Sequence, residues 1–347
     1  MDVLHVVPRL EGTTIPVEIC AAVDDLDGVR SRAVSEEPLP DALPDTIEEA
    51  SVLSDRCGFD AYGRLLSDVA DAFDAVHTHH IRQAAYVGAT AATRPILHVN
   101  TQHGHLHYTR AERLKNLPGL LTADAIAYNS RSTADSYGAV ERLCKVRTTE
   151  RVVHNGVDMS AVEPYRVEID EPTIVVTAAR LIPRKNLGAL IEALEHADGY
   201  SLTIIGDGPH RAALERLAEE RDLDSRVSFA GYLPDREDVY EVFAGADVFA
   251  LPSHGEGFCV AAAEAMAVGL PVVVSDIGIF HEVVGEHGIF VDRRSPRSIA
   301  DALTALRNDP ERARRLGRRN GDRIREQFTL AACARGYRDL YRDLRRD

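Results

Sequence analysis

Lysine is nearly missing from this chain. Of 40 basic residues, three are lysine (Lys115, Lys145 and Lys185) and the rest are arginine. Positive charge is short altogether: 55 acidic against 40 basic residues leave a formal net charge of −15. That excludes broad affinity for nucleic acid, which rests on neutralising phosphates. An acidic, lysine-poor surface is the composition of a protein from a salt-rich cytoplasm, although a GC-rich genome would also favour arginine. The expected result is a loss of stability as salt is diluted, and full stability in dilute buffer would count against it. Cysteine offers no framework either. The five cysteines are scattered, with no CxxC pair, which reads as reduced thiols and neither a disulfide frame nor a zinc ribbon. Long apolar runs are missing as well. The best candidate, residues 259–274, contains Glu264 and a Gly269-Leu270-Pro271 break. The opening MDVLHVVPRL lacks the apolar core of a signal peptide. The expectation is a cytoplasmic chain, long enough at 347 residues for two domains.

What is present is alternation. Strand patterns over residues 3–7, 75–78, 96–100 and 125–128 are interleaved with helical patterns over 15–23, 62–73, 81–93, 111–117 and 130–143. Ser130 is a fair N-cap for the last helix. Residues 35–46, rich in proline and polar groups, read as an exposed loop. Residues 151–154 lead into the turn Asn155-Gly156-Val157-Asp158, and 159–172 read as a linker between domains. A second alternation follows. Strands fall over 173–177, 201–205, 227–230, 247–251 and 288–291, and a helix after Pro183 has Leu187, Leu190, Ile191 and Leu194 on one face. Residues 331–344 repeat apolar or tyrosine positions at helical spacing. Such alternation predicts parallel sheets covered by helices.

The second half is organised around residues 246–276, ADVFALPSHGEGFCVAAAEAMAVGLPVVVSD. A buried strand ends in a Pro252-Ser253-His254-Gly255 turn. Glu256, Gly257 and Phe258 follow, then a helix of small residues and a second buried strand. The loop lies at the carboxyl end of a strand, where ligands bind in such folds. The helix start offers amide donors from Phe258, Cys259 and Val260, and a positive dipole end suited to phosphate. Glu256 sits where it could accept bonds from sugar hydroxyls. Glu264 lies about two turns deeper, among alanines, where a carboxylate needs a partner. A lone helix glutamate more often finds solvent or an internal arginine. Here the loop, strands and spacing favour a ribose diol. Phosphate, sugar and ribose together describe a sugar nucleotide.

Glu256, seven residues and then Glu264, in the setting HGEGFCVAAAEAMAVGLPVVVSD, resembles the signature of the retaining GT-B glycosyltransferases of family 4. The resemblance covers most of residues 90–345. It implies two Rossmann-like doubly wound domains facing a cleft: 1–158 on the acceptor side and 173–330 binding the nucleotide sugar, with a C-terminal helix (331–347) crossing back to the first. It implies transfer of a sugar from a nucleotide-diphosphate donor to a hydroxyl of a glycan, lipid-linked or small-molecule acceptor. A lipid-linked acceptor would bring the protein to the inner membrane surface. Arg180 and Lys185 match the family's diphosphate-binding pair; a cation near a helix start already points to an anion partner. Gly257, Phe258, Cys259 and Val260 would hold the sugar or distal phosphate, Glu264 the ribose and Glu256 the sugar hydroxyls. Cys259 stands where the family usually has glycine. Of two glycines usual in the first loop, only Gly12 is present. Thr101-Gln102-His103-Gly104 matches a motif whose histidine faces the reacting sugar, which makes His103 the catalytic candidate on the first domain. Arg184 reads as surface.

Histidines open the main alternative. His77, His79 and His80 end one strand; His103, His105 and His107 follow another. This spacing suits a metal-dependent hydrolase. Each histidine alone is more often structural, and no acidic ligand accompanies either cluster. His79 remains a weaker cleft candidate. The two D-x-D matches, Asp25/Asp27 and Asp222/Asp224, read as surface turns, so neither metal nor other cofactor is expected. A GT-B epimerase and a catalytically silent donor-binding protein complete the alternatives. Gly206-Asp207-Gly208-Pro209 is compatible with a phosphate loop or with a tight strand–helix turn.

Overall fold

The computed structural model describes all residues except 8–14, 25, 27, 36–49, 53–61, 63, 68–70, 92, 94, 105–108, 146–147, 168, 170–171 and 346–347. Gly12, Asp25, Asp27, His105, His107 and most of the proline-rich loop therefore lie outside the described residues. Two compact units emerge, Met1–Gly156 with Leu330–Asp347, and Val157–Thr329. Among the described residues no helix is long and apolar enough to cross a membrane.

The first unit runs β1 (Asp2–Val7), α1 (Ile15–Asp24), β2 (Arg30–Ser35), β3 (Ala50–Val52), β4 (Ala75–Thr78), α2 (Ile81–Ala91), β5 (Leu97–Gln102), α3 (Arg110–Thr122), β6 (Ala125–Tyr128), α4 (Arg131–Asp135), α5 (Ala139–Cys144) and β7 (Thr149–Val152). Its seven strands are parallel in the order β3-β2-β1-β4-β5-β6-β7. The order reverses direction between β1 and β4, the switch point at which such sheets leave a crevice. Ser130 does cap a helix, accepting from the Thr133 amide at 2.9 Å. The single helix expected over 130–143 is instead two, α4 and α5, separated at Ser136-Tyr137-Gly138. The C-terminal helix, Leu330–Leu344, buries Cys333, Ala334, Tyr337, Leu340 and Tyr341 in a cluster with Val3, Ile19, Val23 and Val99 of this unit.

The second unit runs α6 (Met159–Val162), β8 (Ile174–Ala178), α7 (Leu187–Ala193), β9 (Ser201–Ile205), α8 (Arg211–Glu220), β10 (Val227–Gly231), α9 (Arg236–Ala244), β11 (Val248–Leu251), α10 (Val260–Val268), β12 (Val272–Ser275), α11 (Gly278–Val283), β13 (Ile289–Val291), α12 (Pro296–Asn308) and α13 (Pro310–Gln327). The sheet order is β10-β9-β8-β11-β12-β13, all parallel. Its switch point lies between β8 and β11. Leu187, Leu190, Ile191 and Leu194 are all buried, as their spacing predicts. Residues 159–172 are more than a linker. They carry α6, and Val162 and Ile169 are buried in the second unit's core. The Val167 amide bonds the Val268 carbonyl at 3.1 Å, so apolar side chains bind this segment down despite its prolines.

Candidate functional site

The switch point of the second sheet brings two chain segments together. Arg180 and Lys185 follow β8; Glu256 follows β11, just before α10. Lys185 Nζ donates to both Glu256 oxygens, at 2.8 and 2.9 Å. The pair is largely withdrawn from water, with the Lys185 side chain 13% exposed and that of Glu256 5%. Arg180 is exposed, and its guanidinium has no ion pair among the described residues. Lys185 lies in a single 3-10 turn, Pro183–Lys185, and not in the first turn of α7. Asn186 intervenes in the left-handed conformation. Its side-chain amide donates to the Pro252 and Arg293 carbonyls at 3.1 and 2.8 Å, fixing the turn against the loop after β11. Arg184, expected at the surface, is half-buried. Its guanidinium donates to the Gly255 carbonyl at 2.8 Å, and its own carbonyl receives the His254 amide at 2.8 Å. It clamps the loop that carries Glu256.

Cys259 caps α10 with φ +68°. A side chain rarely adopts this conformation and glycine adopts it freely, which gives a physical reason for glycine at the matching family position. Burial pushes the thiol up to about 12, with the Glu256 charge adding to the effect, so it is an inert, protonated group. Substitution should follow backbone strain. Cys259→Gly loses a small buried group but relieves the left-handed residue, and is expected within about 1 kcal/mol of wild type. Cys259→Val, β-branched at positive φ, is expected to cost about 2 kcal/mol or more. Denaturant unfolding of both variants checks the order, and equal stability would remove strain as the controlling factor.

Glu264 is buried inside α10, a helix whose residues from Ala262 onward are all buried. Its partner is Arg236, the first residue of α9, whose guanidinium bonds Glu264 Oε1; Tyr240 OH donates to the same oxygen at 3.3 Å. Burial raises the carboxyl above its ordinary value, while Arg236 and then Tyr240 pull it back down. Oε2 is free of these two bonds, so a second hydroxyl donor can still be accepted.

Gly206 and Gly208 are explained by packing. A Cβ on Gly206, at φ +119°, would lie 2.1 Å from the Ala179 carbonyl oxygen; one on Gly208, at φ +158°, would lie 2.5 Å from that of Leu181. The Gly206 amide donates to Gly231 and the Gly208 amide to Asp207 Oδ1. The loops after β8 and β9 touch through these glycines, and the amides are used internally. Close packing of the two loops is a sufficient reason for glycine at both positions.

In the first unit, histidines from three adjacent strands share one face. His77 is fully bonded: Nδ1 to Tyr341 OH and Nε2 to Thr101 Oγ1, each at 2.7 Å, with Thr101 in turn 3.1 Å from Tyr337 OH. This ties the C-terminal helix to β4 and β5. His5 Nδ1 meets His79 Nε2 at 3.1 Å, and His79 Nδ1 meets His103 Nε2 at 3.4 Å. Burial holds all four below the ordinary imidazole range, His5 at about 3 and His103 at about 4. His80 is exposed. Ligand nitrogens of His5, His77 and His79 lie within 4.8 Å of one another, a spacing a metal could use. Yet five of the six ring nitrogens of these residues already have hydrogen-bond partners in one another, His103, Tyr341 and Thr101.

Residues 163–323 match the family model for glycosyl transferases group 1, a span inside the second unit. A GDP-mannose-dependent alpha-(1-6)-phosphatidylinositol monomannoside mannosyltransferase of Mycobacterium tuberculosis is 34% identical over 183 residues, which are 48% of this chain and 47% of that protein. The chain thus spans about half the length of this relative. Anabaena HepE, solved in complex with UDP, superposes with a TM-score of 0.84 at 15% identity, covering 99% of this chain and 100% of that one. Sucrose-phosphate synthase of Thermosynechococcus elongatus superposes at 0.78 with 21% identity, covering 99% of each chain. The fold is GT-B. In this GT-B chain, sequence patterns alone missed three groups: Arg236 and Tyr240 on Glu264, Asn186 at the turn, and His5 behind His79. Arg236 was accessible to the argument that singled out Lys185, because it too is a cation at a helix start. His5 carried no such signal, being one polar residue within the apolar strand β1.

Proposed function

We propose that this GT-B protein moves a sugar from a nucleotide-diphosphate donor to an acceptor hydroxyl with retention of anomeric configuration. The observation that carries the reading is the Lys185–Glu256 pair at the start of α10, with Glu264 deeper in the same helix. Lys185 has three N–H donors and Glu256 engages two of its directions, leaving one for a phosphate oxygen. Arg180 and Lys185 would stabilise the charge growing on the leaving diphosphate. The amides of Gly257, Phe258, Cys259 and Val260 would hold the sugar or distal phosphate at the helix start. Glu264, steadied by Arg236 and Tyr240, would accept a ribose hydroxyl, and Glu256 would orient sugar hydroxyls. By the same family resemblance, His103 would be the sugar-facing residue of the first unit. The UDP bound to HepE and the group 1 match support a nucleotide-sugar donor. The hydrolase and epimerase alternatives gain no support from either. The acceptor class stays glycan, lipid-linked or small-molecule, with the cytoplasmic face of a membrane as the site of work for a lipid-linked one.

The test is thermal unfolding in high salt with UDP, GDP, ADP and dTDP. A ligand that binds the folded state raises the melting temperature. One diphosphate is expected to do so; no shift with any of the four overturns the reading. Glu264→Ala should then weaken the stabilising nucleotide about tenfold, the loss of a hydrogen bond to a charged acceptor. Unchanged affinity by calorimetry would remove its ribose role.

A further inference from the structure

His5, His79 and His103 come from β1, the residue after β4 and the residue after β5. Their rings form a line: Nδ1 of His5 to Nε2 of His79 at 3.1 Å, then Nδ1 of His79 to Nε2 of His103 at 3.4 Å. Each link joins an Nδ1 to an Nε2. At the two ends, His5 Nε2 and His103 Nδ1 are buried and have no hydrogen-bond partner among the described residues. His5 is fully buried, so its end is sealed; His103 is the half-buried, outer end.

A neutral imidazole carries one N–H and one lone pair. Three neutral rings carry three protons. Two occupy the links, and the third must sit at one end. Only two states follow. In one, every ring is the Nδ1–H tautomer, His103 Nδ1 is a donor and His5 Nε2 is bare. In the other, every ring is the Nε2–H tautomer, His103 Nδ1 is an acceptor and the spare proton rests on His5 Nε2. Passing between them moves one proton across each link and exchanges one at each end. Any mixed set places two protons or two lone pairs face to face in one link.

We propose that His5, His79 and His103 form one tautomer-coupled imidazole chain, and that His5 and His79 are positioning residues that fix the tautomer and orientation of the His103 ring. This rests on the reading that His103 meets the donor sugar. His77 stands outside the chain because both its nitrogens are held by Tyr341 and Thr101. Burial supports the proton count by keeping the rings neutral.

The decisive experiment is nitrogen NMR of the full chain labelled at histidine, with metal content measured on the same sample. His5, His79 and His103 are expected to share one tautomer, before and after addition of UDP-glucose or GDP-mannose. In His79→Phe the agreement between His5 and His103 is lost, and kcat/KM for transfer falls about tenfold, as for a misplaced contact. The melting shift given by the nucleoside diphosphate is retained. His79→Gln, which still offers a donor and an acceptor, recovers part of the loss and serves if the Phe variant fails to fold. Mixed tautomers in a protein whose nucleotide shift is intact overturn the chain and leave the transferase reading standing. Transfer unaffected in His79→Phe overturns the positioning role. Stoichiometric zinc or another divalent metal on these rings overturns the chain in favour of a metal site. Absence of any nucleotide shift instead sinks the transferase reading, while the tautomers still report on the chain.

Discussion

Acidification from about pH 7.5 to about pH 5 is expected to unfold the first unit, because buried neutral histidines must then charge. His5, His77, His79 and His98 are buried almost completely. Burial is the first cause holding each below 6.5, to about 3 for His5, about 4 for His98 and well below for the other two. The sign follows from proton counts. Below pH 6.5 the unfolded chain binds protons at these rings and the folded unit does not, so stability falls as pH drops through 6.5 and keeps falling towards 3. Each ring that stays neutral contributes up to about 1.4 kcal/mol per pH unit, so together these rings lose several kcal/mol by about pH 5. That is comparable to the whole stability of an ordinary domain, about 5–15 kcal/mol.

The groups facing these rings offset little of the loss. Among the described residues they are the hydroxyls of Thr78, Thr101, Tyr337 and Tyr341, the histidines themselves, and the Thr122 backbone, which favours the charged form of His98 but is outweighed by its burial. Asp124 bonds the His98 backbone amide and not its ring. Glu264 in the second unit shifts the other way; its raised carboxyl binds a proton more readily when folded, so it opposes acid unfolding there. Hydrogen exchange read by mass spectrometry, in high salt at both pH values, checks the result unit by unit. Peptides of β1, β4 and β5 should lose protection at the lower pH. Full protection there would mean that the rings find compensation when charged.

The parts of this architecture legible in the sequence are those where a short apolar run ends at a turn. β4, β6, β11 and β12 are buried along their whole length, so composition alone marks them. β2 escaped because it is only half covered: Ala33, Val34 and Ser35 are buried, while Arg30 and Arg32 are exposed. α13 gave no apolar stripe because its inward face is made of small or polar residues, Ala313, Gly317, Asn320, Gly321 and Ile324. Gly317 sits so close to α10 that a Cβ would lie 2.0 Å from the Gly269 carbonyl oxygen. Glu256 and Glu264 stood out because each acid interrupts an apolar or small-residue context. Their partners did not, since pairing across 71 residues to Lys185 or 28 residues to Arg236 is set by sheet order. The histidine line needed the same information: three strands distant in sequence become neighbours only once β1, β4 and β5 lie side by side.

Sheet order also gives the Lys185–Glu256 pair its most testable consequence. Glu256→Gln is expected to bind nucleoside diphosphate about tenfold more tightly than wild type and to transfer sugar about a hundredfold more slowly or worse. The Lys185 charge is answered by Glu256 at 2.8 and 2.9 Å. A diphosphate arriving there brings negative charge beside a carboxylate that is 5% exposed and poorly screened. At about 4 Å and an effective dielectric of about 20, a like-charge pair costs about 4 kcal/mol. The same lysine attracts the diphosphate, and part of the repulsion is relieved as the groups share it. Glutamine keeps the size and one acceptor for Lys185, and removes the charge. Binding therefore gains. Transfer loses, because a neutral amide no longer holds the sugar hydroxyls as a carboxylate does, nor balances positive charge developing on the sugar. Calorimetric affinity and single-turnover transfer on the same preparation separate the two effects. A parallel loss of both would make Glu256 a loop-holding residue that keeps Lys185 in place. No change in either would put the reacting sugar elsewhere in the molecule. Opposite movement of the two is the signature of a carboxylate that resists the ground-state anion and serves the transition state.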